Sequence, residues 1–513
     1  MNKLVKRNLP VVTLIAATLS LLAPCVALAA PAAKPNVLFI ITDQQFSDAV
    51  SCRMGKQYLN TPNMDSLAQT GTFFTRAYSS NPLCMPYRNS VFTGRYPHET
   101  RVTSNAPVDL DTKEFVNMGT YFRQAGYQTA YFGKWHLCFD KSDPNSHGFE
   151  TTGAEPKGGH DTAVAAGGVQ FLSQKHDRPF LLVLSFLNPH NICEYARRMA
   201  GTPGQVLTCG EVGDPPPLDQ LPPAPANWAI PVNEPDTMTM IRKGYQADPK
   251  FPVGAFTETM WRQHRWGYYR MIEKVDAEIG KAIAALRQSG LEENTVIVLS
   301  ADHGDCAGAH HFNQKTVFYE ESARVPLIVS YKGKTKPGTS DRLVNTGIDI
   351  LPTMFDFAGI AQPKKLPGVS LRPLALGQPA ANWRDHVVIQ NNMDQTGLVG
   401  DIRPSVEGRM IRTERYKYCV YSRGNQRESL VDLQNDPGEL KDLATDPNYR
   451  KVLLQHRSLL AKFGQEHSDP LVAELLANDV QPRPFTASAE PPKEPKKGKR
   501  DKKAGRIPET SGQ

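Results

Sequence analysis

Cys84 leads the residues able to do chemistry, in the stretch Asn81-Pro82-Leu83-Cys84-Met85-Pro86-Tyr87-Arg88-Asn89-Ser90-Val91-Phe92-Thr93-Gly94-Arg95. A thiol at a helix start feels the positive helix end, and Arg88, one turn on, returns to the same side. Pro86 suits the first turn, where its missing N–H is not needed. This spacing offers an activated sulfur nucleophile. A buried structural cysteine beside a solvated arginine fits it equally well.

Five further stretches offer partners. Asp43-Gln44 and Asp302-His303 present three oxygen donors and an imidazole. The oxygens suit Ca2+ or Mg2+, and the imidazole leaves the metal's identity open. An Asp at a strand end also serves as a helix cap or turn residue. Lys134 with His136, then His190, then Lys315 can surround an anion with positive charge and move a proton. In His310-His311-Phe312-Asn313-Gln314-Lys315, one of the two histidines is expected to face substrate. The alternative there is a polar loop that only leads to Lys315.

These residues need a frame that brings them to one edge. Residues 36–42 form a continuous apolar run ending at Asp43, as expected of a buried central strand in a parallel sheet. Residues 128–133, 180–187 and 295–300 read as further strands and lead into Lys134, His190 and Asp302. Residues 325–331 read as another. In open α/β sheets, ligands gather at the carboxyl ends of the strands. Helices are expected after Thr61-Pro62-Asn63 up to Gly71, and over 117–124, 261–288 and 349–358. The alternation predicts an α/β fold: a doubly wound, mostly parallel sheet flanked by helices. From Asp385 the pattern changes to short alternating strands at 409–413, 416–421 and 430–433, closed by a helix over 450–463. The expected organisation is a catalytic domain over 36–384 and a smaller α+β subdomain with an antiparallel sheet over 385–480. Residues 202–252 are rich in proline with few apolar runs, and read as a long surface insertion shaping a substrate mouth.

Composition is ordinary for a globular chain, with 40% hydrophobic and 22% charged residues. The net charge of +7 sits at the two ends. Lys3, Lys6 and Arg7 precede an apolar run over 9–26 and then Ala27-Leu28-Ala29, the layout of a signal peptide over residues 1–29. Export to the periplasm or the exterior is expected. No later run of about 20 apolar residues follows, so no membrane span is expected. Pro24 before Cys25 fits a lipoprotein cleavage box poorly, and no lipid anchor is expected. Residues 485–513 are expected to be a disordered basic tail, with eight Lys/Arg against three acids from Lys493 onward. Without these ends the body is near neutral, which argues against nucleic acid as a partner. Eight cysteines occur. An exported protein can pair some of them, Cys193 and Cys209 being the nearest plausible pair, but spacing does not reveal connectivity.

Cys84-Met85-Pro86-Tyr87-Arg88, with Thr93-Gly94-Arg95 behind it, resembles the signature of type I sulfatases, in the alkaline-phosphatase-like superfamily. Asp43-Gln44, Asp302-His303 and the run ending in Asp436-Pro437-Gly438-Glu439 fall in the family's order, so the resemblance spans about residues 36–463. It implies that Cys84 is converted to formylglycine (3-oxoalanine) by a formylglycine-generating, sulfatase-maturating enzyme. It implies a divalent metal, usually Ca2+ with Mg2+ as the alternative, at Asp43, Gln44, Cys84, Asp302 and His303. Gln44 departs from the commoner Asp-Asp pair, although a subset of the family carries such a Gln. By the same resemblance Lys134 and Lys315 bind sulfate oxygens, and His136 hydrogen-bonds the nucleophile. His190 is the general acid, and Arg88 holds the formylglycine hydrate and balances charge. One hydroxyl of the hydrated aldehyde would attack sulfur. The other would collapse to the aldehyde and expel sulfate, a release that a serine lacks. Residues 188–195 are similar to carbohydrate sulfatases acting on glucosamine-type sugars, which implies an exo-acting 6-O- or N-sulfatase with a sulfated small-molecule or oligosaccharide substrate. The alternatives are an arylsulfatase- or choline-sulfatase-like enzyme, a phosphonate or phosphate monoester hydrolase of the same superfamily, or a glycan-binding pseudo-enzyme in which Cys84 stays a thiol.

Overall fold

Strand β1 (Asn36–Asp43) is buried along its whole length, and its two faces account for the layers around it. The computed structural model describes Met1 and residues 34–153, 161–364 and 366–487. The expected signal peptide, beyond Met1, and the basic tail, beyond residue 487, lie outside these. The described residues from Pro35 onward form one compact unit.

In chain order the elements that build the site are β1, α1 (Pro62–Thr70), β2 (Gly71–Phe74), α2 (Cys84–Thr93), α3 (Met118–Gln124), β3 (Gln128–Gly133), β4 (Thr151–Thr152), β5 (Phe180–Pro189), α4 (Asp236–Ala247), α5 (Glu258–Gln288), β6 (Thr295–Ala301), β7 (Leu327–Tyr331), β8 (Gly338–Ser340) and α6 (Thr346–Ala358). Then come β9 (His386–Met393), β10 (Val406–Thr413), β11 (Tyr416–Tyr421), β12 (Glu428–Asp432) and α7 (Arg450–Glu466). The main sheet has the order β4-β3-β5-β1-β6-β7-β2-β8. From β4 to β6 every pair is parallel, with Val37 opposite both Leu181 and Val296. Strand β7 runs antiparallel to both of its neighbours. This is the expected α/β sheet.

Alternate residues of β1 point to opposite faces. Val37, Phe39 and Ile41 pack with Val91 and Phe92 of α2 and with Ile350, Leu351 and Met354 of α6. Leu38 and Ile40 pack with Val275, Ile279 and Ile283 of α5 and with Met64 and Leu67 of α1. A strand covered on both faces must be apolar throughout, which is why the run is unbroken. All ten residues of α2 are buried. Its C-terminus is turned by Gly94 in the left-handed region at φ 68.

Strands β9–β12 form the antiparallel second sheet. One face, with Val388, Ile411 and Leu430, packs on Leu453, Leu460 and Phe463 of α7. The other, with Val387, Ile389 and Met410, packs on Met238, Ile241 and Tyr245 of α4. Helix α4 corrects the reading of 202–252 as wholly surface. Its apolar residues recur at helical spacing, but Pro231, Pro235 and Pro252 on either side hide the pattern.

Several boundaries also shift. Helix α5 starts at Glu258, where the side chain of Thr257 accepts from Met260 N. Strand β7 starts at Leu327, later than the expected Val325. Thr61 precedes α1 but does not cap it with its side chain. The amides of Asn63 and Met64 instead donate to Asp276 of α5. The pairing of Cys193 with Cys209 does not occur: all seven cysteines among the described residues are free. Cys193 Sγ lies 2.8 Å from Gln314 Nε2, drawn toward the site instead. Among the described residues no helix is long and apolar enough to cross a membrane.

Candidate active site

The parallel pairing brings four strand ends to one edge of the sheet. Strand β1 ends at Asp43, β3 leads into Lys134, β5 into His190 and β6 into Asp302. Cys84 is the first residue of α2, one position inside the expected boundary, and only 1% exposed. Its sulfur lies 3.1 Å from His303 Nε2, 3.4 Å from Lys315 Nζ and 3.8 Å from Asp43 Oδ1.

Arg88 is fully buried and links the two carboxylates. Its NH2 donates to Asp43 Oδ2 at 2.9 Å and its Nε to Asp302 Oδ2 at 3.1 Å. NH1 donates to Ser185 Oγ at 2.7 Å and to the Lys134 carbonyl at 3.2 Å. These hydrogen bonds balance the carboxylate charge, and none of them goes to Cys84. With both Oδ2 atoms engaged, Oδ1 of Asp43 and of Asp302 lie 3.9 and 3.5 Å from His303 Nε2. His303 Nδ1 donates to the Gly304 carbonyl at 2.9 Å, which aims Nε2 inward. Gly304 fits because a Cβ there would lie 1.8 Å from the Glu321 carbonyl oxygen.

One ligand atom from each of Asp43, Cys84, Asp302 and His303 lies within 4.8 Å of the others, and all four residues are buried. Two carboxylates, an imidazole and an adjacent amide oxygen suit a divalent cation. Gln44 sits at φ 71, and its Oε1 accepts from Lys315 Nζ at 2.7 Å. Lys134 Nζ reaches Asp43 Oδ2 at 2.5 Å.

Burial dominates the electrostatics and the charges compete with it. Burial would raise Asp43, but Lys134, His190 and Arg88 hold its carboxyl well below the usual range. Burial and the charge of Asp43 push Asp302 up to about 7. Burial and Asp43 would also raise the Cys84 thiol, yet Lys134, Lys315 and His303 leave it well below its ordinary value. Burial and the two lysines push His190 down to about 3.

The remaining expected residues divide. His136 is half-buried at φ 47, its Nδ1 has no hydrogen-bond partner, and it makes no hydrogen bond to Cys84. His310 is buried against Tyr319, ring centres 3.9 Å apart, and groups with Glu321 and Glu439 instead. His311 keeps some exposure beside Trp228, at 4.2 Å. Of the two, His311 alone keeps exposure. Three residues escaped the sequence reading. Ser185 joins Arg88 to Lys134, and its signal was a lone hydroxyl inside an apolar strand. Asp161 accepts from the amides of Leu187 at 2.7 Å and Asn188 at 2.9 Å, and so holds the segment before His190. Asp305 accepts from Gln44 Nε2 at 2.6 Å.

A buried cysteine flanked by lysines and a carboxylate–histidine cluster, at the strand ends of an α/β sheet, defines a hydrolase of anionic esters. The chain belongs to the sulfatase family, whose model matches residues 35–360. It is a sulfuric ester hydrolase. A second model, the C-terminal part of N-sulphoglucosamine sulphohydrolase, matches residues 308–466. A Delta 4,5-hexuronate-2-O-sulfatase of Bacteroides thetaiotaomicron is 31% identical, over 90% of this chain and 95% of its own. An N-acetylglucosamine-6-O-sulfatase of the same organism is 25% identical, over 85% and 87%. The solved structure of a 2-O GAG sulfatase superposes with a TM-score of 0.73 at 27% identity, covering 85% of this chain and 93% of that one.

Proposed function

We propose that this sulfatase removes a sulfate ester from the terminal sugar of a sulfated saccharide, with Cys84 matured to formylglycine and Ca2+ as its cation. The observation that carries the reading is the setting of Cys84, buried between the Asp43–Asp302–His303 cluster and Lys315. A divalent cation would be held by Asp43, Gln44, Asp302 and His303, and it would supply charge that makes a neighbouring hydroxyl more acidic. A hydrated aldehyde at position 84 supplies two hydroxyls on one carbon, one for attack and one for release of sulfate.

The chain's own residues do the rest. Lys134 and Lys315 place positive charge where sulfate oxygens sit. Arg88 balances the charge of both buried carboxylates and holds them apart. His190 donates to the leaving oxygen. Burial and the two lysines keep its imidazole neutral at rest. A seated sulfate offsets the lysines and so raises the proton affinity of the imidazole toward that of a general acid. Export through residues 1–29 and maturation by a formylglycine-generating enzyme complete the reading.

The names of the relatives support a saccharide. The C-terminal family match and residues 188–195 favour glucosamine 6-O- or N-sulfate. The 31% identity to a hexuronate-2-O-sulfatase favours a 2-O-sulfated uronate as the second reading. A panel of 6-O- and N-sulfated glucosamines, 2-O-sulfated unsaturated disaccharides, aryl sulfate and aryl phosphate separates them. Dominant phosphatase turnover would overturn the proposal. Mass spectrometry of the peptide carrying residue 84 should show a loss of about 18 Da, the difference between a thiol and an aldehyde side chain. An unmodified thiol in active protein would also overturn it. Cys84→Ala and His190→Ala should each abolish turnover and leave unfolding unchanged.

A further inference from the structure

Gln44 is the one departure from the commoner acidic pair, and its surroundings explain it. Its side-chain nitrogen donates to Asp305 Oδ2 at 2.6 Å, and its Oε1 accepts from Lys315 Nζ at 2.7 Å. Lys315 Nζ in turn lies 3.4 Å from Cys84 Sγ. Only one sense of the amide satisfies both ends, because the NH2 must meet a carboxylate and the oxygen must meet an ammonium. Asp305 is itself fixed. Oδ1 accepts from Ala307 N at 2.6 Å, and Oδ2 also accepts from Gln314 N at 3.2 Å. Gln314 and Gln44 both sit in the left-handed region, at φ 70 and φ 71, so this geometry is held against backbone preference. The backbone of Gln44 is pinned as well: its carbonyl accepts from Tyr268 Oη at 2.7 Å and its amide donates to Asp302 Oδ1 at 3.0 Å.

We propose that Asp305 is a positioning residue which, through Gln44, sets Lys315 on the nucleophile and supplies from one residue further out the negative charge that a second acidic residue would carry at position 44. The inference rests on the sulfatase reading of Cys84 and Lys315. An acidic side chain at position 44 would put an oxygen against Asp305 Oδ2 where an N–H now donates at 2.6 Å, so two acceptors would meet with no hydrogen between them. Gln44 and Asp305 are therefore one unit whose polarity must agree.

Exchange of the two groups tests this. In Asp305→Asn, the new amide keeps its oxygen on Ala307 N and turns its NH2 toward Gln44, which also takes the acceptor away from Gln314 N. Gln44 must then flip and present its own NH2 to Lys315. In Gln44→Glu with Asp305 intact, two carboxylates meet. In the double variant Gln44→Glu/Asp305→Asn, the carboxylate at position 44 accepts from both the amide at position 305 and Lys315, and the charge has moved one residue inward. Each single variant should lower kcat and weaken Ca2+ binding by roughly 10- to 100-fold, the usual range for partners that orient ligands. The double variant should recover most of the loss on both, short of wild type by what the unpaired Gln314 N costs. Ca2+ affinity is read by calorimetry and thermal unfolding without substrate, so it reports even if no sulfated sugar is turned over. Unchanged Ca2+ affinity and kcat in Asp305→Asn would overturn the proposal. So would losses in the double variant that simply add, since a purely structural aspartate gives no rescue by exchange.

Discussion

At the residue scale, Arg88 is where packing and chemistry meet. A guanidinium in a fully buried place is tolerated because it bonds two carboxylates, a hydroxyl and a carbonyl. Removing it strips Asp302 of its ion-pair partner and leaves Asp43 with Lys134 alone. Arg88→Ala should cost about 3–5 kcal/mol of stability, the range for breaking a buried pair from one side. Arg88→Lys should recover little, because an ammonium cannot span both acids. Denaturant unfolding of the purified variants checks both. Wild-type stability in Arg88→Lys would show that the fork geometry is unimportant. The legibility of single residues follows the same logic. Cys84, Asp43 and Asp302 were legible because each follows a sharp local pattern. The roles of Ser185 and Asp161 depend on partners 97 and 26 positions away along the chain. No local pattern reports those.

At the element scale, the site depends on how helices and strand ends are held. The N-terminus of α1 is capped from α5, by Asp276 Oδ1 on Met64 N at 2.8 Å and Oδ2 on Asn63 N at 3.2 Å. Asp276→Ala should therefore cost about 1–2 kcal/mol, as loss of a helix cap does, with Asp276→Asn costing less. Urea midpoints at constant slope would measure it. Gly304 lies after β6, where a Cβ would meet the Glu321 carbonyl oxygen at 1.8 Å. Gly304→Ala must displace backbone beside His303. A loss of about 1–3 kcal/mol is expected, the range for overpacking, together with lost turnover. An active, equally stable Gly304→Ala would contradict this close approach.

At the scale of the whole molecule, the small sheet closes over the loop that carries Lys315. Asn391 Nδ2 of β9 donates to the Thr316 carbonyl, and Thr316 N donates to the Pro82 carbonyl at 3.0 Å. Lys417 of β11 is buried on Glu439, with Glu320 at 3.4 Å and the Phe318 carbonyl at 2.7 Å. Lys417→Ala strips the cation from a buried acidic group, so a loss of about 3–5 kcal/mol is expected. Lowered turnover should accompany it through the Lys315 loop. Asp442, near β12, gives a pH signature. Burial pushes its carboxyl up to about 8, against an unfolded value near ~4. The folded state therefore binds more protons across that window. Stability contributed by this group is full below the unfolded value and is lost as pH rises through the folded one. Asp442→Asn should flatten that part of the profile, measured as the difference from wild type in unfolding free energy from about pH 4 to 9, the window set by those two values. A parallel pair of profiles would refute it.

The chain alone determined the α/β class, the identity of β1, β3, β5 and β6, and the short motifs at their ends. These are local consequences of burial: a strand covered on both faces must read as an unbroken apolar run, and turn chemistry must follow it. The family resemblance of the Cys84 stretch was equally local. Only the tertiary structure decided which polar groups share a site. It joined Asp43 to Asp302 through Arg88, turned His310 into a separate buried cluster, and drew Cys193 toward Gln314 instead of into a disulfide. It also decided that α4 belongs to the core and that Asp305 explains the glutamine at position 44. Those outcomes depend on the register between strands and on side chains meeting across long sequence separations, and a linear pattern carries no record of either.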